Sequence, residues 1–341
     1  MTVSVDVTGA VADPLDAPPL RWGILGPGRI AESFTNAVQA ATRGSVVAVG
    51  SRSAARAGDF ARAHAPDARV HASYEALVAD PDVDAVYVAS PHSHHHDHAL
   101  LGIAAGKHLL VEKAFTRNAA EARAVLDAAR SAGVFVMEAM KTRHLPHVAA
   151  LRSILASGEI GDVVSVRGSY EVAFPFDAAS RIFDPALAGG GLLDIGVYPL
   201  AFALDLLGVP DDVLAAGVLT PAGVDAQATV VLRYRAAIAT CTSSIVASAP
   251  VAMVIAGTRG WVDLPHHYSS PATFTVHRAD GASTEYDGRV PDGKQYEAAE
   301  VARCVSAGLT ESPRMSWQHT LDLMAVLDRA RAGVGVRYPG E

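Results

Sequence analysis

The chain has 341 residues, of which half are hydrophobic and 19% charged, with 28 basic against 36 acidic side chains and a net charge of −8. That length exceeds what one core usually sustains, so two packed globular domains are expected. The acidic balance leaves no footprint for nucleic acid or an anionic membrane surface, and two cysteines, Cys241 and Cys304, are too few for a disulfide framework, which points to a reducing, cytoplasmic setting.

Residues 1–19 carry Asp6, Asp13, Asp16 and several prolines without a basic start or a continuous apolar stretch, and read as a flexible leader rather than a signal peptide. From Leu20 the chain alternates short apolar runs with helical stretches. Strands are expected at Arg21–Gly26, Ser45–Gly50, Val70, Val83–Ala89, Lys107–Val111 and Val134–Met137. Helices are expected at Arg29–Ala41, Ala54–His64, from Ser73, at His96–Ala105 and at Ala119–Ala132. That alternation predicts a doubly wound, Rossmann-type parallel sheet covered on both faces, over residues 20–143.

After His144 the character changes. Helices are expected at Pro146–Ala156, Gly190–Leu207, Tyr296–Ala307 and Ser316–Gly333. Strands are expected at Val163–Val172, Ala226–Tyr234, Ile238–Val246, Val251–Ala256 and Thr273–Arg278. The hairpin-like spacing predicts an α+β domain over 144–341 with a large, mostly antiparallel open sheet. No segment is apolar for long enough, without charge or Pro/Gly breaks, to span a bilayer.

The first strand runs into Gly26-Pro27-Gly28-Arg29-Ile30-Ala31. Gly26 permits a tight turn, Gly28 lets the backbone approach a pyrophosphate, and Ala31 allows close helix–strand packing. The helix that starts at Arg29 and Ile30 offers amides and a dipole to phosphate. The pattern points to a nicotinamide dinucleotide. Where NAD-selective sites place an acid after the second strand, this chain has Ser51 and Arg52, which would accept a 2′-phosphate. NADP(H) is therefore expected, with NAD as the alternative.

Two further strand ends are polar: Ser90-Pro91-His92-Ser93-His94-His95 and Glu112-Lys113, both on the edge where a nicotinamide would sit. The clustered histidines invite a metal, but no Cys or acid set accompanies them, and no metal is expected. In the second domain Gly189-Gly190-Gly191 opens a helix with Asp194 and Tyr198 four residues apart on one face. The glycines would leave room for a ligand, and Gly196 inside the helix implies close approach by something.

The strings GILGPGRIA, SPHSHHHDHALLGIAAGKHLLVEKAF and GGGLLDIGVYPLAFALDLLG together resemble the glucose–fructose oxidoreductase, inositol dehydrogenase and MocA family, over roughly residues 20 to 335. The last string is most similar to the dihydrodiol and D-xylose dehydrogenase branch. The resemblance implies that Lys113, Asp194 and Tyr198 are catalytic, with Tyr198 as acid/base. It places Pro91 and His95 of a Thr-Pro-x-x-x-His motif beside the nicotinamide, with Ser90 in place of the Thr. The family's usual proline after the lysine is Ala114 here, and because that proline is commonly cis, a trans or strained bond is expected at Lys113–Ala114.

The resemblance also implies a sugar, polyol or cyclic diol substrate that Lys113, Arg181, Asp194 and Tyr198 would hold, with Phe174 and Phe183 near the pocket. It implies a homodimer or homotetramer. A free tyrosine titrates near pH ~10, and Lys113 would stabilise the phenolate so that Tyr198 can exchange the hydroxyl proton as hydride passes to the dinucleotide. The rival readings are an NAD-dependent glycosidase of the same fold and a non-catalytic dinucleotide-binding sensor.

Overall fold

The computed structural model describes residues 3–341. The first strand, β1 (Val3–Asp6), pairs in parallel with Ser283–Asp287. The expected flexible leader is therefore ordered over its described part. Its alternating Val3-Ser4-Val5 supplies an edge strand, and tight turns follow at Thr8–Ala10 and Pro14–Asp16, the second capped by the Asp13 side chain. Met1 and Thr2 of that leader lie outside the described residues.

The next elements are β2 (Arg21–Leu25), α1 (Arg29–Ala41), β3 (Ser45–Gly50), α2 (Ala54–His64), β4 (Arg69–His71), α3 (Tyr74–Val78), β5 (Ala85–Val88), α4 (His95–Ala104), β6 (His108–Glu112), α5 (Ala119–Ala132) and β7 (Val136–Ala139). Side chains of Ser53, Ser73 and Asn118 cap α2, α3 and α5, and Gly133 ends α5 in the left-handed region. The six strands β2 to β7 form one parallel sheet in the order β4-β3-β2-β5-β6-β7. The order reverses beside β2, which places the crevice for a ligand at the C-terminal ends of β2 and β5. Behind it, Phe34 of α1 stacks on Tyr87 of β5 at 3.9 Å between centroids and meets Trp22 of β2 edge-on at 5.0 Å.

The remaining elements are α6 (Pro146–Ala156), β8 (Val163–Glu171), a π-helical turn (Leu192–Gly196), α7 (Val197–Leu207), β9 (Asp212–Leu219), β10 (Asp225–Arg233), β11 (Ile238–Ser244), β12 (Met253–Gly257), β13 (Gly260–Leu264), β14 (Thr273–Arg278), β15 (Ser283–Asp287), α8 (Lys294–Ser306) and α9 (Trp317–Val334). The second sheet has nine strands in the order β1-β15-β14-β13-β12-β8-β11-β10-β9. It is mostly antiparallel, with parallel pairs at β8/β11 and β1/β15. The strands β1, β9, β13 and β15 extend it beyond the sequence expectation. α7 packs on β8 and β11, and its Asp205 is tied by Arg143 at 2.8 Å and by Nε of Arg152 at 2.7 Å.

The chain divides into two compact units. One holds the residues up to Val11, Thr142–Pro291 and Asp322–Glu341. The other holds Ala12–Lys141 and Asp292–Leu321. The units therefore depart from a contiguous division at residues 143 and 144 in two ways: the residues up to Val11 join the larger-sheet unit, and Asp292–Leu321, with α8, joins the parallel-sheet unit, where α8 packs on α1 and β6.

Candidate functional site

In the parallel-sheet unit, the β2–α1 turn has the expected form. Gly26 sits at φ +92°, and a Cβ there would lie 3.1 Å from the backbone of Ala89 and Ser90. Gly28 is extended, caps α1, and a Cβ on it would meet nothing within 4 Å. The Glu32 amide bonds to the Gly28 carbonyl at 3.0 Å, and the amides of the preceding turn have no carbonyl of the helix to take. Arg29 and Ile30 are exposed on this turn, and Ala31 is buried against the sheet. This cradle fits a dinucleotide pyrophosphate.

At the end of β3, Ser51 is buried and its hydroxyl accepts the Ser53 amide at 3.2 Å, while Arg52 is exposed. Burial and then the charge of Arg52 push the His94 imidazole below its ordinary value, and burial takes His98 down to about 4.

The loop around Lys113 is clamped from four directions. Glu112 accepts the Lys113 amide at 3.2 Å and the Tyr87 hydroxyl. Glu138, inside β7, accepts the Phe115 amide and the Thr320 hydroxyl, each at 3.1 Å. His92 Nε2 meets the Lys113 carbonyl at 3.2 Å. His95 Nδ1 meets the Ala114 carbonyl at 3.0 Å, and its Nε2 meets the Ser90 carbonyl at 2.8 Å. The Lys113–Ala114 bond is cis, where a trans or strained bond was expected. His95 is buried with both nitrogens against carbonyls; burial lowers its proton affinity, and the two carbonyls oppose that. A neutral ring has one N–H, so it donates to one of the Ser90 and Ala114 carbonyls and lies against the other. Ser90 also bonds His98 through its hydroxyl at 2.9 Å, and Pro91 opens the short turn His92–His94. Among the described residues no group of three or more His, Cys, Asp or Glu is gathered as a metal site.

Sequence reasoning missed Glu138, Tyr87 and the polar group brought by Asp292–Lys294. Lys294 Nζ donates to Ser33 of α1 at 2.8 Å, and Ser33 donates to Asp292 at 2.6 Å. A glutamate placed between the apolar run Val134-Phe135-Val136-Met137 and Ala139-Met140 was the available signal for Glu138, because a buried acid needs partners. No local signal foretold Lys294, which comes from far along the chain.

In the other unit, Asp194 lies in the π turn and Tyr198 in the first turn of α7. The expected single helix from Gly190 is thus replaced by a wider turn leading into α7. Pro199 explains it: proline has no N–H to give and its ring pushes on the carbonyl a turn earlier, which an i→i+5 turn relieves. Asp194 is buried and pairs with the exposed Arg181 at 2.9 Å. Tyr198 is half-buried and stacks on Tyr170 of β8 at 5.4 Å between centroids. Phe183 is core, packed with Ile182, Ile195, Val224 and Ile245, and Phe174 lies half-buried against that cluster.

The glycine run serves packing. A Cβ on Gly189 would lie 2.5 Å from the Arg181 carbonyl oxygen, and one on Gly190, at φ +108°, 2.2 Å from Asp225 Oδ1. The space expected for a ligand is filled by protein. The close neighbour of Gly196 is likewise Ser243 of β11, whose Oγ would lie 2.9 Å from an added Cβ. The apolar stretch Pro185–Leu207 is long enough to cross a membrane by composition, but its core window is 89% buried.

The family model described as oxidoreductase family, NAD-binding Rossmann fold (GFO_IDH_MocA) matches residues 20–140, and the GFO/IDH/MocA C-terminal domain model matches residues 148–263. The trans-1,2-dihydrobenzene-1,2-diol dehydrogenase of Danio rerio is 37% identical over 335 residues, covering 94% of this chain and 98% of its own. The D-xylose 1-dehydrogenase (NADP(+)) of Hypocrea jecorina is 33% identical, covering 94% of this chain and 93% of its own. Among solved structures, KijD10, a 3-ketoreductase from Actinomadura kijaniata in complex with TDP-benzene and NADP, superposes with a TM-score of 0.80 at 26% identity, covering 93% and 98% of the two chains. A levoglucosan dehydrogenase in complex with NADH and levoglucosan has a TM-score of 0.82 at 20% identity, covering 95% and 100%, and speaks to the fold alone.

Proposed function

The chain belongs to the Gfo/Idh/MocA family of NAD(P)-dependent oxidoreductases, and on that premise we propose that it oxidises a secondary hydroxyl of a sugar, polyol or cyclic vicinal diol, or reduces the matching carbonyl, with NADP(H) preferred. The observation that carries the reading is the placement of Asp194 and Tyr198 at one helix start, with Arg181 paired to that Asp194.

The turn at Gly26 and Gly28 and the first amides of α1 hold the pyrophosphate, and Ser51 and Arg52 hold the ribose end. When bound, the nicotinamide supplies or accepts the hydride. Tyr198 takes the hydroxyl proton in oxidation and returns it in reduction. The Lys113 ammonium stabilises negative charge on the reacting oxygen as the proton moves. Asp194, steered by Arg181, accepts a hydrogen bond from a neighbouring hydroxyl and orients the substrate. A vicinal diol or a sugar offers that second hydroxyl, and the names of the dihydrodiol and D-xylose relatives support this class. We also infer that the enzyme is a cytoplasmic homodimer or homotetramer.

The test is a panel of sugars, polyols and dihydrodiols with NADP+ and NAD+, read by nicotinamide absorbance, with Tyr198→Phe and Lys113→Met alongside. General acid–base catalysis contributes ~100-fold or more, so each variant is expected to lose turnover by about that factor with dinucleotide affinity unchanged. Full activity of Tyr198→Phe removes that residue from the reaction. Turnover of a glycoside without net absorbance change would favour the glycosidase, and tight dinucleotide binding with silence across the panel would favour the sensor.

A further inference from the structure

The turn that carries Asp194 stands on a buried side chain that has no part in the chemistry above. Asp225, the first residue of β10, is fully buried. Its Oδ2 accepts the amide of Leu192, the residue that opens the π turn, at 2.6 Å. A Cβ on Gly190 would lie 2.2 Å from Oδ1, and one on Gly191 would lie 3.1 Å from Oδ2. The glycines at 190 and 191 are thus the negative image of this carboxyl group. Its other oxygen, Oδ1, is buried and has no hydrogen-bond partner.

A buried acid with one unsatisfied oxygen is a poor choice for stability alone. Other contacts hold the entry to the segment: the Tyr338 hydroxyl donates to the Gly189 carbonyl at 2.8 Å, and the Gly190 amide bonds the Ile182 carbonyl at 2.8 Å. These fix where the glycine run enters. Leu192 is where the helical path begins, and there the side chain that takes the amide is Asp225. Asp194 follows two residues on and Tyr198 six residues on, so a rotation at Leu192 is carried directly into both side-chain directions.

We propose that Asp225 is a positioning residue of the site: by seating the Leu192 amide in the space left by Gly190 and Gly191, it sets the phase of the π turn and so aims Asp194 and Tyr198. The proposal rests on the reading of Asp194 and Tyr198 as the groups that meet substrate.

The test compares Asp225→Ala, Asp225→Asn and Tyr198→Phe in the full chain, with a dihydrodiol or D-xylose as substrate and NADP+ as acceptor. The readouts are kcat, KM, dinucleotide affinity and melting temperature, with turnover normalised to the dinucleotide-binding fraction. Asp225→Ala is expected to lower kcat by about tenfold or more with dinucleotide affinity held within about twofold, and Asp225→Asn, which keeps an acceptor for Leu192, to recover most of that loss. A residue that serves only stability would lower the melting temperature and the active fraction and leave normalised kcat alone.

A folded Asp225→Ala enzyme with parental normalised kcat, beside an inactive Tyr198→Phe, overturns the positioning role and leaves the site reading standing. An active Tyr198→Phe overturns the site reading, and the role of Asp225 falls with it. Should Asp225→Ala fail to fold, Gly191→Ala presses a methyl onto the same carboxylate; a loss of normalised kcat there supports the proposal, and parental kcat overturns it.

Discussion

Arg52 is exposed at the end of β3, one residue after a buried serine whose hydroxyl is held by the Ser53 amide. On the proposed reading this guanidinium takes a ribose 2′-phosphate, and a charged hydrogen bond of that kind contributes about 1.5–3 kcal/mol. Arg52→Ala is therefore expected to weaken NADP+ binding by roughly tenfold or more and to change NAD+ binding little, as titration by intrinsic fluorescence or calorimetry would read. Equal losses for both dinucleotides would take the preference away from this residue. Asp225 carries the clearest pH signature. Burial pushes its carboxyl up to about 7, and the Leu192 amide it accepts and the charge of Arg331 oppose that only in part. Between the unfolded value near 3.8 and about 7 the folded chain keeps a proton that the unfolded chain releases. The stability from that proton is complete below the unfolded value and is lost as pH rises through the folded one. Asp225→Asn cannot titrate, so its stability relative to the parent should improve by about 2 kcal/mol between pH ~5 and ~8. Denaturant unfolding at both pH values decides it, and a pH-independent difference would contradict the shift.

At the scale of elements, the parallel sheet from Arg21 to Ala139 was readable because strands buried on both faces are continuous apolar runs with helical stretches between them. The β2–α1 turn was readable because its pattern is local: the glycines and the helix start fall within a few residues of one another. The second sheet was less so. In β9 the outward positions carry Leu214 and Val218, and in β13 Trp261 is outward, so these strands lack a clean alternation of apolar and polar residues. In β15 every residue is half-buried, which leaves no period to find. The π turn was hidden for another reason. Asp194 and Tyr198 keep their shared face whether the turn is α or π, so the four-residue spacing was informative while the helix type was not. The glycines beside them were misread as room for a ligand, because the side chain that fills the space, Asp225, arrives from 33 residues away in the chain. Lys113 was legible as a strand-end lysine, but its clamps were not, since Glu138, His92 and His95 reach its loop only through sheet order and main-chain hydrogen bonds.

At the scale of the molecule, the nine-stranded sheet has one face under α7 and the π turn, with close approaches at Gly168 and Gly196. The opposite face carries Leu214 and Val218 of β9, Ile238 of β11 and Trp261 of β13, at 58, 64, 48 and 40% exposure. The strand register joins these positions across the sheet: Leu214 stands opposite Val231, Arg233 opposite Ile238, and Ala256 opposite Trp261. Scattered apolar residues on a surface need no explanation, but a broad sheet face with exposed residues of this kind is a candidate for burial against a second copy. A two-fold pairing would use the same face on both chains, so each substitution enters the interface twice. Leu214→Glu with Ile238→Glu would then bring four carboxylates into it, which like-charge repulsion and desolvation oppose by several kcal/mol. On the proposed oligomeric reading, the pair is expected to lower the sedimentation coefficient from that of a dimer or tetramer to that of a monomer while dinucleotide affinity stays near parental. An unchanged coefficient would move the subunit contact away from this face.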